Sequence, residues 1–436
     1  MIVPQTRLVA WSAAVLVPFG AVAGGDRHAL VAAAIAIGAF VVAVAMDAFA
    51  TRGRLAGIGV DLPEIVRLQK ERPGEIELII HNDSQLARIL RLGLAFPPEI
   101  VPQSDDITTN LPAGSKLSRI KWLCMPSRRG QYFLECCYLE GVSPLGFWAL
   151  RGRLPCKAEL RVYPNLFDER KHVAALFLNR GHYGIHAQRA VGRGREFEKL
   201  REYNQGDSLQ DIHWKASAKR GHLVTKVYQI ERTQEVYVIL DTSRLSARAN
   251  GIERCVTASL VLAVAAEQQG DLFGLVCFND RVSQFVRAKS GKAHFDTCRD
   301  ALYTQHPKMV SPDFDELAAF LRTRLRKRAL LVFLTALDDP VLAESFSRNM
   351  ELLCRQHLIV VNMLKPRGAQ PLFSTGDVSN IDNVYEKLGG HLQWHNLNEL
   401  DKRLQRRGVR FYLIDHETLC AQIVAQYVEV KARQLI

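Results

Sequence analysis

Two places in this 436-residue chain hold side chains whose types and spacing could do chemistry. The first is Asp207, Asp211 and His213, where carboxylates beside an imidazole could form a general acid–base pair. No Ser or Cys nucleophile motif accompanies them, so such a dyad has nothing to activate. The second lies after the apolar run Glu235–Asp241 (EVYVILD), which reads as a buried strand and is followed by Thr242 and Ser243. Ligands of an open α/β sheet gather at the carboxyl ends of its strands, here just after Asp241 and after Thr335, the end of ALLVFLT. A hard cation such as Mg²⁺ would need several oxygens at that point. No Gly-rich phosphate loop follows a strand, which argues against an ATPase. The nine cysteines show no metal-ligand spacing and read as reduced core thiols of a cytosolic portion.

The elements that would position these groups change character along the chain. Glu235–Asp241, Leu272–Phe278, Ala329–Thr335, Leu358–Leu364 and Val409–Ile414 are near-continuous apolar strands, with helices over Ile252–Gln268, His294–Tyr303, Phe314–Leu325, Pro340–Gln356, up to Arg407 and from Glu417. That grammar predicts an α/β fold, a doubly wound and largely parallel sheet, with Val282–Arg287 as an edge partner. Between Val60 and Pro164 the pattern is instead short period-two runs, among them Glu75–His81, Ile89–Ala95, Lys116–Cys124, Gln131–Leu139 and Ala158–Tyr163, which predict a small antiparallel β domain, a sandwich or barrel. Leu8–Ala23 and Ala29–Ala50 are apolar runs separated by Gly24–His28, and read as two transmembrane helices in a hairpin. The rival is a signal peptide ending near Ala21-Val22-Ala23. Arg52, Arg54, Arg67, Lys70 and Arg72 crowd the exit of the second run, so the positive-inside bias places both chain ends in the cytoplasm. Asp47 sits near the end of that run and reads as positional. The net charge of +12 suits a face beside anionic lipid, and no nucleic-acid module appears.

The densest local signal is Gly194–Lys226. Between Arg189 and Lys226 it mixes nine Lys/Arg with five Asp/Glu, and it holds Tyr203, Trp214 and a Gly206-Asp207 turn. Its pattern Glu196, Phe197, Arg201, Tyr203, Gly206-Asp207, Ile212, Trp214, Lys215, Ala218 resembles the signature of the bacterial family called domain of unknown function 58. The resemblance runs from about Val60 to the C-terminus, and Ser143–Phe147 (SPLGF) is similar to the turn that closes the family's β unit. Gln210, His213 and Lys219 depart from the family pattern, which has Arg, Asp and Arg there. The first two together suggest one lost internal ion pair.

The resemblance implies a von Willebrand factor A-like domain after the motif. Such domains hold a divalent ion with Asp-x-Ser-x-Ser, a loop hydroxyl and a later Asp. Asp241 and Ser243 fit that pattern and Ser311 is the candidate loop hydroxyl, but Leu245 and Ala336 stand where two oxygens are expected. Asp338 and Asp339 follow close behind. The metal site is therefore expected to be degenerate and unoccupied, with no cofactor, and Asp241 to pair with Arg244 or accept from loop amides. The resemblance further implies a MoxR-type AAA+ ATPase as partner.

The expected organisation is a transmembrane hairpin over 1–54, a β-sandwich-like domain over 60–164, a connector with the signature over 165–230, and the von Willebrand factor A-like domain over 231–436. The expected function is a non-enzymatic, multi-pass inner-membrane scaffold with its soluble domains in the cytoplasm. It would contact lipid through the hairpin and its protein partner through Glu196, Arg201, Tyr203, Gly206, Asp207, Trp214 and Lys215. Clamping of this stretch against the following domain is part of that expectation. The alternatives are a cell-envelope hydrolase centred on His213, Asp211 and Asp207, and a basic nucleic-acid binder.

Overall fold

A computed structural model describes residues 1–22, 27–84, 87–167, 191–205, 208–229, 234–372, 374 and 381–433. The chain divides into two compact units, Met1–Asn165 and Leu166–Ile436. The fold is mixed α/β, with several sheets and an apolar helix near the N-terminus.

In the first unit, α1 (Thr6–Val22) and α2 (Arg27–Thr51) follow a short strand β1 (Ile2–Pro4). Leu30–Thr51 is long and apolar enough to cross a bilayer, with mean hydropathy 2.4 over 22 residues. The apolar part of α1, Thr6–Pro18, is shorter. Most of the expected Gly24–His28 turn lies outside the described residues, as do Val173–Leu178 and the Gly206-Asp207 turn.

Two sheets complete this unit. One has the order β1–β10–β9–β5–β7, with β5 Arg88–Leu94, β7 Asp106–Leu111, β9 Gly130–Val142 and β10 Trp148–Tyr163. The other has the order β2–β4–β8–β6, with β2 Ile58–Asp61, β4 Gly74–Asn82, β6 Ile100–Pro102 and β8 Leu117–Pro126. In EIELIIH the pleat sends Ile76, Leu78 and Ile80 inward, where they meet Trp122, Leu90, Leu92, Leu139, Leu160 and Val162 in one core. The antiparallel expectation needs one correction: β3 (Ile65–Gln69) runs parallel to the last residues of β10, from Ile65 opposite Glu159 to Gln69 opposite Tyr163. The cause is the length of β10. Its first residues pair with β1, and the remainder of that edge is filled by β3.

Asp47 joins the end of α2 to the sandwich. Its buried carboxylate accepts from the Ser143 hydroxyl at 2.6 Å and from the backbone N–H groups of Leu145 (3.0 Å) and Phe147 (3.3 Å). The Trp148 indole N–H donates to the Val44 carbonyl at 3.0 Å, and the Phe147 ring meets Phe40 edge-on. A carboxyl group in an otherwise apolar helix is costly unless its oxygens are hydrogen-bonded, and the SPLGF turn supplies the donors.

The second unit opens with an antiparallel pair, β11 (Val191–Glu202) and β12 (Val224–Gln229), enclosing the short helix α3 (Trp214–Arg220). Its main sheet has the order β15–β14–β13–β16–β17–β18: β13 Glu235–Asp241, β14 Leu272–Phe278, β15 Val282–Lys289, β16 Ala329–Leu334, β17 Leu358–Leu364 and β18 Arg410–Ile414. All neighbours are parallel except β15, an antiparallel edge strand. Both faces are covered, which is why these strands read as unbroken apolar runs. Val236, Val238 and Leu240 pack under α4 (Gly251–Gln268), α5 (Lys292–Leu302) and α9 (Leu419–Ala432). Tyr237 and Ile239 pack under α6 (Phe314–Arg324), α7 (Pro340–Leu353) and α8 (Ile381–Arg406).

Candidate functional site

The sheet rule puts a site at the carboxyl end of β13, and the structure fills that place with hydrogen bonds. Asp241 is 2% exposed. Its Oδ1 accepts from the Ser243 backbone N–H at 2.8 Å and its Oδ2 from the Thr335 hydroxyl at 2.6 Å, so β13 and β16 are tied where they end. Burial raises the Asp241 carboxyl above the usual carboxylate range against the opposing pull of those hydrogen bonds. The Ser243 Oγ accepts from the Leu245 N–H at 3.3 Å, capping the 3-10 turn Arg244–Asn250, and the Leu245 side chain is buried.

The neighbouring loop is laced to this one along its backbone. Lys308 N–H donates to Thr242 O at 2.8 Å and Arg244 N–H to Val310 O at 3.0 Å. That lacing brings Ser311 to the site, where its Oγ accepts from Arg244 Nε at 3.1 Å. Asp241 does not take Arg244 as its partner. Of the two pairings expected for it, the loop amide is present and the Arg is engaged by Ser311. Asp338 pairs with Arg248 through Oδ2, while its buried Oδ1 has no hydrogen-bond partner among the described residues. Asp339 caps α7, accepting from the N–H groups of Val341 and Leu342.

These groups do not fit a hard divalent cation. Both Asp241 oxygens accept, Ser243 is spent on a cap, Leu245 offers hydrocarbon, and Arg248 neutralises Asp338. A single orphan oxygen on Asp338 is far from the near-octahedral oxygen set that Mg²⁺ requires. Among the described residues no three His, Cys, Asp or Glu side chains converge as metal ligands. All nine cysteines are free thiols, and burial pushes Cys137 and Cys298 up to about 12, far from the thiolate form a nucleophile needs.

The signature stretch forms a separate module. Arg201 lies opposite Thr225 and Glu202 opposite Val224, and the ladder continues through Tyr203 N–H to Leu223 O at 2.9 Å. Glu196 lies in β11 opposite Gln229; its side chain, like Gly206 and Asp207, lies outside what is described. The inner side of α3 is hooked to β12 by Ser217, whose Oγ accepts from Val224 N–H at 2.9 Å, and Ile212 is buried beside it. Gly221, at φ 71°, ends the helix in a left-handed turn. His213, standing where the family pattern has Asp, caps the helix as an aspartate would, with its Nδ1 accepting from Ala216 N–H at 3.1 Å at the N-cap of α3. That nitrogen is engaged in capping, which counts against a hydrolytic centre on His213. Trp214 is 66% exposed, with Lys215 exposed beside it, and Arg201 and Tyr203 are half-buried.

Sequence reasoning placed Asp241, Ser243 and Ser311 near one another but overlooked Thr335 as the partner of Asp241. The signal available was a hydroxyl ending the strand next to the one that ends in Asp241. It also missed Arg248, which sits one turn beyond Arg244.

Residues 199–388 match the family described as protein of unknown function DUF58. Uncharacterized proteins of Mycobacterium bovis (strain ATCC BAA-935 / AF2122/97) and Mycobacterium tuberculosis (strains CDC 1551 / Oshkosh and ATCC 25618 / H37Rv) are each 24% identical over 205 residues, 45% of this chain. The matched stretch is 63% of the length of those relatives. Among solved structures, proximal thread matrix protein 1 from the mussel byssus is 14% identical over 46% of each chain, with a TM-score of 0.28.

Proposed function

We propose that this chain is a membrane-anchored, non-enzymatic scaffold whose second unit is von Willebrand factor A-like and binds a protein partner without a metal ion. The carrying observation is the closed strand-end site. Its carboxylates are engaged by Thr335, Ser243 and Arg248, while Arg244 stays exposed on its rim with only Ser311 as a side-chain partner among the described residues. Among the described residues only the buried Oδ1 of Asp338 is left unengaged there, whereas the exposed Arg244 guanidinium can fork onto a partner's carboxylate directly. The strand order with one antiparallel edge supports the von Willebrand factor A-like reading.

Two spanning helices are part of the proposal. Val9, Trp11, Ile35, Val42, Met46 and Phe49 are exposed along α1 and α2, as lipid-facing side chains would be. Pairing of β1 with β10 supports a hairpin whose two ends lie on the side of the β sandwich, and the Lys/Arg excess and free thiols support the cytoplasmic side of the inner membrane. The partner implied by the family resemblance is a MoxR-type AAA+ ATPase. Co-purification from membranes tests the reading: the ATPase is expected with the intact chain and to be lost with Arg244→Glu but kept with Asp241→Asn. Retention of the ATPase by Arg244→Glu, or its absence from the intact chain, overturns it.

A further inference from the structure

We infer that the signature module, β11–α3–β12, carries a second lipid contact: an interfacial patch that docks on an anionic bilayer surface. Among the described residues of this module three large apolar side chains protrude: Leu209 at 69% exposure, Trp214 at 66% and Leu223 at 44%. Folding does not require them outside, since the same module buries Ile212, Ser217, Val224 and Thr225 as its inner face. Lys215, Lys219, Arg220 and His222 are interleaved with the protruding residues and are also exposed. On α3 the buried Ser217 fixes the inner side, so Lys215, Ala218 and Lys219 face away from β12. Amphipathic Trp and protruding Leu flanked by Lys and Arg is the composition that settles at the boundary between headgroups and acyl chains, and its positive charge selects anionic lipid.

A bilayer is favoured over a protein as occupant because of the chain itself. The inference rests on the anchor proposed above: a chain held by Leu30–Thr51 meets a membrane surface at high effective concentration, and an individually weak patch then suffices. Each basic side chain close to an anionic surface is expected to shift the docked-to-free ratio about fivefold.

The full chain can be tested in nanodiscs of phosphatidylcholine alone and of phosphatidylcholine with phosphatidylglycerol, using lipids brominated near the headgroup end of the acyl chains. The difference in tryptophan quenching between the intact chain and Trp214→Phe isolates Trp214 from the other four tryptophans. Quenching of Trp214 is expected in the anionic discs, weakened in the zwitterionic ones, reduced about 25-fold in docked-to-free ratio by Lys215→Gln with Lys219→Gln, and lost in molar salt. Trp214 that stays open to aqueous iodide in anionic discs overturns the proposal. So does a photo-crosslinker at Leu209 that captures a protein and no lipid in cell membranes. Failure of the anchor itself looks different, because the chain would then not co-elute with discs of either composition.

Discussion

The Thr335 hydroxyl donates to Asp241 Oδ2 at 2.6 Å, joining the ends of two adjacent parallel strands at the one point where the sheet rule expects a ligand.

Thr335→Val keeps the shape and removes the donor, leaving a buried carboxylate oxygen unpartnered. A loss of about 1–3 kcal/mol is expected, seen as a lower melting temperature of the full chain. Asp241→Asn should be far milder. The folded Asp241 carboxyl is raised above its unfolded value, so its contribution is full below about pH 3.9 and is lost as pH rises through the folded value. Asparagine removes that loss, and the melting temperature should then rise less steeply on acidification. Millimolar Mg²⁺ should leave the intact chain's melting temperature unchanged; a Mg²⁺-dependent increase abolished by Asp241→Asn would refute the metal-free site.

His213→Asp should hold or raise the stability of α3, because a carboxylate caps a helix at least as well as an imidazole nitrogen. His213→Ala should cost about 0.5–2 kcal/mol, read locally as faster amide exchange at Ala216. Equal exchange in all three proteins would mean the Nδ1 contact carries no energy.

Removing the Asp47 carboxylate strands the Ser143 hydroxyl and two backbone N–H groups. Asp47→Ala should therefore loosen the turn 143–148, with faster amide exchange at Leu145 and Phe147 while the strands of the sandwich stay protected. Asp47→Asn, which retains a carbonyl acceptor, should lie between. Unchanged exchange in Asp47→Ala would show that Trp148 and Phe147 hold the turn unaided.

His357 is 3% exposed and neither ring nitrogen has a hydrogen-bond partner among the described residues. Burial lowers its pKa, so the unfolded chain takes up the proton first. Stability from this group is present above about pH 6.5 and is lost as pH falls toward the folded value. The acid-side fall in melting temperature should shrink in His357→Leu, and an unchanged fall would place the sensitivity elsewhere.

The sheet of the second unit was legible because burial on both faces leaves each strand unbrokenly apolar, as in EVYVILD and LFGLVCF. The sandwich was legible wherever alternation ran long enough, as in EIELIIH. What the sequence hid depends on distant partners. IVP at residues 2–4 is too short for any period and is a strand because Leu150 lies opposite Ile2. Asp47 looked merely positional because its partners lie about a hundred residues on, at Ser143 and Leu145. At the site, residue types located Asp241, Ser243 and Ser311. They could not say that Ser311 would hold Arg244, which depends on the backbone lacing of two loops. The module around Trp214 was expected to be clamped, yet its outward aromatic has no pattern that differs from a buried one.

Strand β1 also sets an order of events during synthesis. Ile2–Pro4 is made well before its ladder partners Trp148–Leu150, which follow only after both helices and most of the sandwich. Until β10 is made, residues 2–4 wait unpaired. A long closure of this kind is slow compared with forming a local hairpin, so completion of this sheet edge is expected to be a late event, after the helices are in place. An unpaired strand in the interval is open to pairing with the β10 edge of another nascent copy.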